Sequence, residues 1–225
     1  MNALPASSAG DERRELVQGA AALQVSLSMQ QAAALLRLLD ELTVWNRTHN
    51  LTAITARPSM LRAHLLDSLS VLPELSGARI ADVGTGAGFP GLPLALLCPE
   101  RDFTLIDSVG KKIRFVTHAA RILALANVTV LHTRVEALRP PAAFDTVVAR
   151  AYAPLAQLLT SVQGLCGPGT RVLAMKGRYP DAELRAVPAG WRLERAREVY
   201  VPGLGAERHI LRLVPDAPAA RLATP

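Results

Sequence analysis

The chain has 225 residues, half of them apolar and a fifth charged, so it can bury one sizeable core and is too apolar for wholesale disorder. No run of about 18 uncharged apolar residues occurs, which excludes a helical membrane span, and the first residues, MNALPASSAGDERRE, lack the basic-then-apolar order of a secretion signal. A formal charge of +6 and a pI near 10.0 favour a polyanionic partner. Cys98 and Cys166 stand in no CxxC pair, so no metal site and no disulfide framework are expected. The chain reads as soluble and cytoplasmic, with monomer as the default state. Of the 25 basic residues only Lys111, Lys112 and Lys176 are lysines, and all three fall beside expected strand ends.

Residues 1–11 and 215–225 are rich in Ala, Pro and Ser and read as frayed tails. From residue 12 to about 75 the pattern is helical. Ser28 is a candidate cap for a helix whose stripe is Ala32, Leu35, Leu36, Leu39 and Leu42. That helix is expected to end near the polar stretch WNRTHNLT, residues 45–52. Pro58 suits the first turn of another helix, which carries Leu61, Leu65, Leu66 and Leu69. From residue 76 strands and helices alternate. The expected strands are 80–83, 103–107, 128–132, 144–150 and 171–176, with helices at 92–97, 111–125, 154–166 and 181–187 between or after them. Two closing strands, 191–200 and 208–214, are joined by a loop too short for a helical crossover, so one must run antiparallel. The class is α/β, with a seven-stranded, mostly parallel sheet, helices on both faces and an N-terminal helical extension at 12–75 before a domain at 76–214.

The most informative stretch is IADVGTGAGFPGLPLALL, residues 80–97, where Gly84, Gly86, Gly88 and Gly91 follow a short apolar strand ending in acid. Glycines cluster this way where backbone turns sharply and approaches a ligand closely. Gly86-x-Gly88-x-x-Gly91, with Asp107 about 20 residues on, matches the dinucleotide fingerprint, so a nicotinamide cofactor competes. Three features favour S-adenosylmethionine (SAM). Asp82 precedes the loop, where it can reach an amino-acid moiety. Pro90 and Pro93 remove amides that would cradle phosphate. The antiparallel closing pair suits a methyltransferase sheet. Asp107 can accept ribose hydroxyls or simply cap the next helix. Glu136 follows the third strand, near an adenine or merely in solvent. Arg150 ends the fourth strand at the edge where ligands bind. Its burial would be costly without a partner. Lys111, Lys112 and Arg114 form a candidate phosphate rim, Lys176 a second cation and Tyr152 a stacking aromatic; a solvated helix start and core packing are the plainer readings. His64 and Asp67, three apart, are expected to pair structurally, and Asn46 and Asn50 to hold the junction between helices and sheet.

The segments WNRTHNLT (45–52), HLLDS (64–68), DVGTGAGFPGLPLA (82–95), IDSVGKKIRFV (106–116), TRVEAL (133–138), ARA (149–151), MKG (175–177) and AERHI (206–210) together resemble one family. It is the small-subunit ribosomal RNA guanine-N7 methyltransferase, also called glucose-inhibited division protein B. The resemblance implies a Rossmann-like SAM-dependent methyltransferase fold. It also implies methyl transfer to ring nitrogen 7 of one guanine in the 530 loop of 16S rRNA, within the small ribosomal subunit or its precursor. By the family pattern Gly84, Phe89, Val135, Glu136 and Arg150 contact SAM. The implied reaction needs no metal and no membrane. Arg150 and Lys176 are the candidates closest to the chemistry, and no residue is assigned a general-base role.

Overall fold

The computed structural model of the chain describes residues 9–216. Helices α1 (Ala9–Ala22), α2 (Met29–His49), α3 (Arg57–Met60) and α4 (Asp67–Leu69) come first, α3 and α4 being joined by a π-helical stretch (Leu61–Leu66). The alternating part follows: β1 (Arg79–Val83), α5 (Gly91–Leu97), β2 (Asp102–Asp107), α6 (Gly110–Ile122), β3 (Val128–His132), β4 (Phe144–Arg150), α7 (Leu155–Val162), β5 (Cys166–Lys176), α8 (Asp181–Arg185), β6 (Trp191–Glu198) and β7 (His209–Pro215).

Local rules explain most boundaries. Ser28 and Gln31 form a reciprocal capping box at the start of α2. The end of α2 differs from expectation. The helix runs past Trp45 to His49 because the Trp45 ring packs edge-on against Phe115 of α6 at 5.7 Å, so tertiary contact outweighs weak propensity. Asn50 then turns the chain with φ +48°, and the Asn46 carboxamide accepts the amides of Leu51 and Thr52. The expected frayed ends are also shorter. α1 begins at Ala9, with Asp11 and Glu12 in its first turn, and buries Leu16 and Ala20. β7 reaches Pro215, and the Asp216 amide donates to Gly190 O. The rest of both expected tails lies outside the described residues. The helix expected to reach 166 stops earlier, and Cys166 opens β5.

The sheet order is β3-β2-β1-β4-β5-β7-β6, with only β7 running against its neighbours. The order reverses between β1 and β4, which leaves a crevice at their carboxyl ends. Period-two alternation sends Ile80, Phe103, Leu105, Val148 and Leu173 to one face, where α1 to α6 cover them. Val83, Ile106, Val147, Val172 and Leu211 point to the other face, under α7. The N-terminal helices therefore share one continuous core with the sheet.

Ion pairs bind the stretch between those helices and β1 to the distant strands. Buried Glu74, just before β1, accepts from Arg212 of β7 and pairs with Arg197 of β6 at 3.0 Å. Burial works against its charge, yet the two guanidiniums hold its carboxyl below the ordinary 4.5. Removing one partner of such a pair strands the other, so Glu74→Ala should cost about 3 kcal/mol in urea melts at pH 7. Stability from a depressed carboxyl is complete above the unfolded value and lost as pH falls through the folded one. The gap between wild type and variant should therefore close on acidification below pH 4.5.

Candidate active site

β1 and β2 deliver one carboxylate each to the crevice, and the two hold the glycine loop. Asp82 is 1 % exposed. Its Oδ2 accepts from Thr85 Oγ1 at 2.6 Å and from the Gly91 amide at 2.8 Å, while Oδ1 has no partner among the described residues. Burial pushes its carboxyl up to about 6, against the pull of both donors. Asp107 accepts the Gly86 amide through Oδ2 at 3.0 Å and the Val109 amide through Oδ1 at 2.8 Å. Most other loop amides are also committed: Gly84 and Thr85 donate to Ile106 O, Gly88 and Phe89 to Thr85 O, and Leu92 to Gly88 O, while Ala87 on the wall of a neighbouring cavity donates to no described residue. A pyrophosphate would need those amides free. The loop therefore has the shape of the dinucleotide fingerprint with most of its donors already engaged.

Two cavities meet at this loop and share Gly84, Lys112 and Ala151. The smaller, about 330 Å³, is lined by Asp107, Ser108, Val135, Glu136, Tyr152 and Gln157 among others. The Tyr152 hydroxyl donates to Glu136 Oε1 at 3.5 Å, and Ser161 donates to the same oxygen at 2.8 Å. The Glu136 carboxyl is lowered by its own backbone amide and by Ser161. Gly84 sits between the cavities with φ +68°, and a Cβ there would lie 2.5 Å from the Tyr152 ring.

The larger cavity, about 530 Å³, opens between the N-terminal helices and the ends of β4 and β5. The His64 and Phe89 rings stack at 4.8 Å on its wall, with Arg150 5.7 Å from the Phe89 centroid. Arg150 Nη1 donates to Ala63 O at 2.8 Å and to Asp67 Oδ2 at 3.0 Å. The other Asp67 oxygen accepts Arg208 Nε at 2.8 Å. Lys176 Nζ donates to Glu183 Oε2 at 2.7 Å and to Ala153 O at 3.1 Å. A separate cavity among α1, α2 and α3 is lined by Arg57, which pairs with Glu12 and Asp40, and lies away from the glycine loop.

Residues 31–211 match the family model described as rRNA small subunit methyltransferase G. The chain belongs to this family. Relatives named ribosomal RNA small subunit methyltransferase G agree over most of both lengths. That of Marinobacter nauticus is 45 % identical over 88 % of this chain and 92 % of its own. That of Xanthomonas campestris pv. campestris is 47 % identical over 83 % and 88 %. Among solved structures, a magnesium protoporphyrin IX methyltransferase from Synechocystis with bound SAM superposes with a TM-score of 0.57 at 17 % identity, over 79 % of this chain and 90 % of that one. A SAM dependent methyltransferase from Aquifex aeolicus gives 0.52 at 22 %, over 70 % and 93 %. These two speak to the fold: the seven-stranded Rossmann-like sheet of the methyltransferases.

The crevice gathers Gly84, Gly86, Phe89, Asp107, Lys112, Val135, Glu136, Arg150, Tyr152 and Lys176 around the two cavities. Asp82 departs from its expected place. It lines neither cavity and braces the loop from beneath. Tyr152 lies with Glu136 in the smaller cavity rather than at the larger one with Lys176. Lys111 donates to Asn50 O at 3.4 Å and Arg114 is exposed; neither lines a cavity. The expected His64–Asp67 pair does not form, because Asp67 turns to two arginines and His64 Nε2 lies 3.1 Å from Thr52 Oγ1. Asp67, Arg208 and Thr52 are wall residues that sequence reasoning did not assign to the site. Only the HLLDS, AERHI and WNRTHNLT segments hinted at them.

Burial lowers the His64 pKa to about 4, and the nearby Arg150 charge adds to this. The unfolded imidazole protonates near 6.5, so His64 leaves stability untouched above that pH and erodes it progressively between 6.5 and 4. The imidazole resonances of His64 should titrate with a midpoint near pH 4. His64→Gln should flatten the acid limb of the stability profile by up to about 3 kcal/mol.

Proposed function

We propose that the chain transfers a methyl group from SAM to ring nitrogen 7 of a guanine in the 530 loop of 16S rRNA, acting in the cytoplasm on the small ribosomal subunit or its precursor. The observation that carries this reading is the pair of cavities meeting at Gly84 on a loop most of whose amides are engaged within the protein, in a chain of the rRNA small subunit methyltransferase G family. The donor set fits a cofactor that is cationic and free of phosphate. It offers carboxylates at Asp107 and Glu136, both on the wall of the smaller cavity.

In this reading Asp107 and Glu136, with Val135 and Tyr152 beside them, hold the nucleoside. Gly84 and Gly86 bring the backbone close, Asp82 keeps that backbone in shape, and Phe89 and Arg150 close the far side. When bound, SAM supplies a methyl carbon that departs its sulfonium while the bonding electrons stay on sulfur. Nitrogen 7 of guanine carries a lone pair and no proton, so the chain needs no general base. His64, stacked on Phe89, is a weak base there, its pKa being lowered to about 4 by burial and by Arg150. The protein's contribution is alignment of the two reacting atoms and exclusion of water. Nitrogen 7 of paired RNA faces a groove too narrow for side chains, so the guanine enters unpaired, through the larger cavity. Lys112, Arg150, Lys176 and Arg208 meet the RNA there, and Lys111 and Arg114 lie on the outer rim.

The direct test supplies small subunits from cells lacking this gene with methyl-labelled SAM and the purified chain, and maps the label by mass spectrometry of 16S rRNA fragments. Label on a single guanine of the 530 loop, as 7-methylguanosine, is the expected result; label elsewhere, or in no RNA, would overturn the proposal. Gly84→Ala should weaken binding of S-adenosylhomocysteine at least tenfold in calorimetry, because the methyl group needs the space of the Tyr152 ring and strains a positive φ.

A further inference from the structure

The cations on the wall of the larger cavity are not free. Arg150 and Arg208 arrive from different strands, one at the end of β4 and the other just before β7, and both end on the carboxylate of Asp67. The Asp67 side chain is 4 % exposed, and each oxygen serves a different guanidinium, Oδ2 to Arg150 Nη1 and Oδ1 to Arg208 Nε. Neighbouring backbone groups are engaged as well. Asp67 O accepts the Ser70 hydroxyl at 2.6 Å, and the Arg150 fork is also held by Ala63 O. A buried charge with two such partners is fixed in direction, and so are the partners.

We propose that Asp67 is a positioning residue for methyl transfer, which sets the angle of Arg150 and Arg208 towards the RNA and keeps a negative charge beside the guanine as it becomes cationic. The inference rests on the methyl-transfer reading above and adds a residue to it. Two considerations lead there. Two guanidiniums pointing into one cavity would repel each other and splay without a shared carboxylate, blurring the docking of the base. A methylated nitrogen 7 is positive, so unneutralised arginines beside it would raise the barrier, and a carboxylate between them offsets that field. Asp67 also lines the cavity itself, so its charge reaches the site directly as well as through its partners.

The test compares wild type, Asp67→Asn and Asp67→Glu in single-turnover methylation of small subunits, with KM for the subunit and the Kd for S-adenosylhomocysteine measured alongside. Asp67→Asn keeps the shape and removes the charge. Its rate should fall roughly ten- to hundredfold, while KM and Kd stay within about threefold. Asp67→Glu keeps the charge but shifts it by one methylene, and its rate should be intermediate. A wild-type rate for Asp67→Asn would overturn the inference. So would a parallel rise in KM and Kd, since that is the mark of a residue that only holds the fold. If urea melts show that Asp67→Asn does not fold, Asp67→Glu decides alone: a rate reduced severalfold with KM and Kd unchanged supports positioning, and a wild-type rate refutes it. Failure of the wild-type chain to methylate any subunit would sink the methyl-transfer reading; activity in wild type with no loss in the variants would sink only the role of Asp67.

Discussion

The structure of the crevice depends on two carboxylates at the ends of adjacent parallel strands taking up loop amides that a nucleotide phosphate would otherwise claim. Asp82 holds Thr85 and Gly91, and Asp107 holds Gly86 and Val109. An ionised carboxylate is costly to bury, and here the cost shows as a carboxyl raised to about 6 at Asp82. It persists because the alternative is worse for the loop. Without Asp82 the Gly91 amide, at the start of a seven-residue helix, would be a buried orphan. Gly91 itself lies so close that a Cβ would be 2.6 Å from the Asp82 oxygen. Acid and glycine are thus a single unit, and neither can be replaced without moving the other.

From that unit the architecture follows outward. Because β1 and β4 are neighbours while their following segments leave on opposite faces, the crevice opens between the glycine loop and Arg150. The N-terminal helices then roof one half of it. They and the segment after α2 contribute Leu51, Thr52, Ile54, Ala63, His64 and Asp67 to the cavity wall. Glu74, on the short stretch that joins this layer to β1, ties it by buried ion pairs to β6 and β7, the last two strands in the sheet order. A loosely docked helical layer would blur the position of a wall that must be fixed.

Much of this was legible along the chain, and the reason is locality. β3 and β4 begin and end where alternating apolar residues and turn chemistry put them, and the antiparallel β7 follows from a connection too short for a helix. The Ser28–Gln31 capping box is likewise a matter of four residues. The features that escaped are those decided at a distance. Asp67 looked like a partner for His64, three positions away, but its true partners stand 83 and 141 residues further on. Arg150 read as a lone cation because nothing near it in sequence could answer its charge. Tyr152, two residues past Arg150, was expected beside the same substrate. Ala151 has φ +49°, however, and that turn sends Tyr152 to the other side of Gly84.

The charge pattern gives the last step. A chain of net charge +6 suits a polyanion at long range, yet the interior of the crevice is close to balanced. Asp67 answers Arg150 and Arg208, Glu183 answers Lys176, and Asp107 lies 3.9 Å from Lys112. Attraction at the surface and neutrality at the centre are separate requirements. A surface excess draws the RNA in and is screened by salt within about a Debye length. A central excess would oppose a reaction that leaves its product ring positive, and, being buried, it would be screened little by solvent ions. Pairing each inward cation with an acid meets both requirements, at the expense of holding those side chains in one arrangement. That rigidity is also what a reaction without a general base requires, since alignment is most of what the protein has to offer.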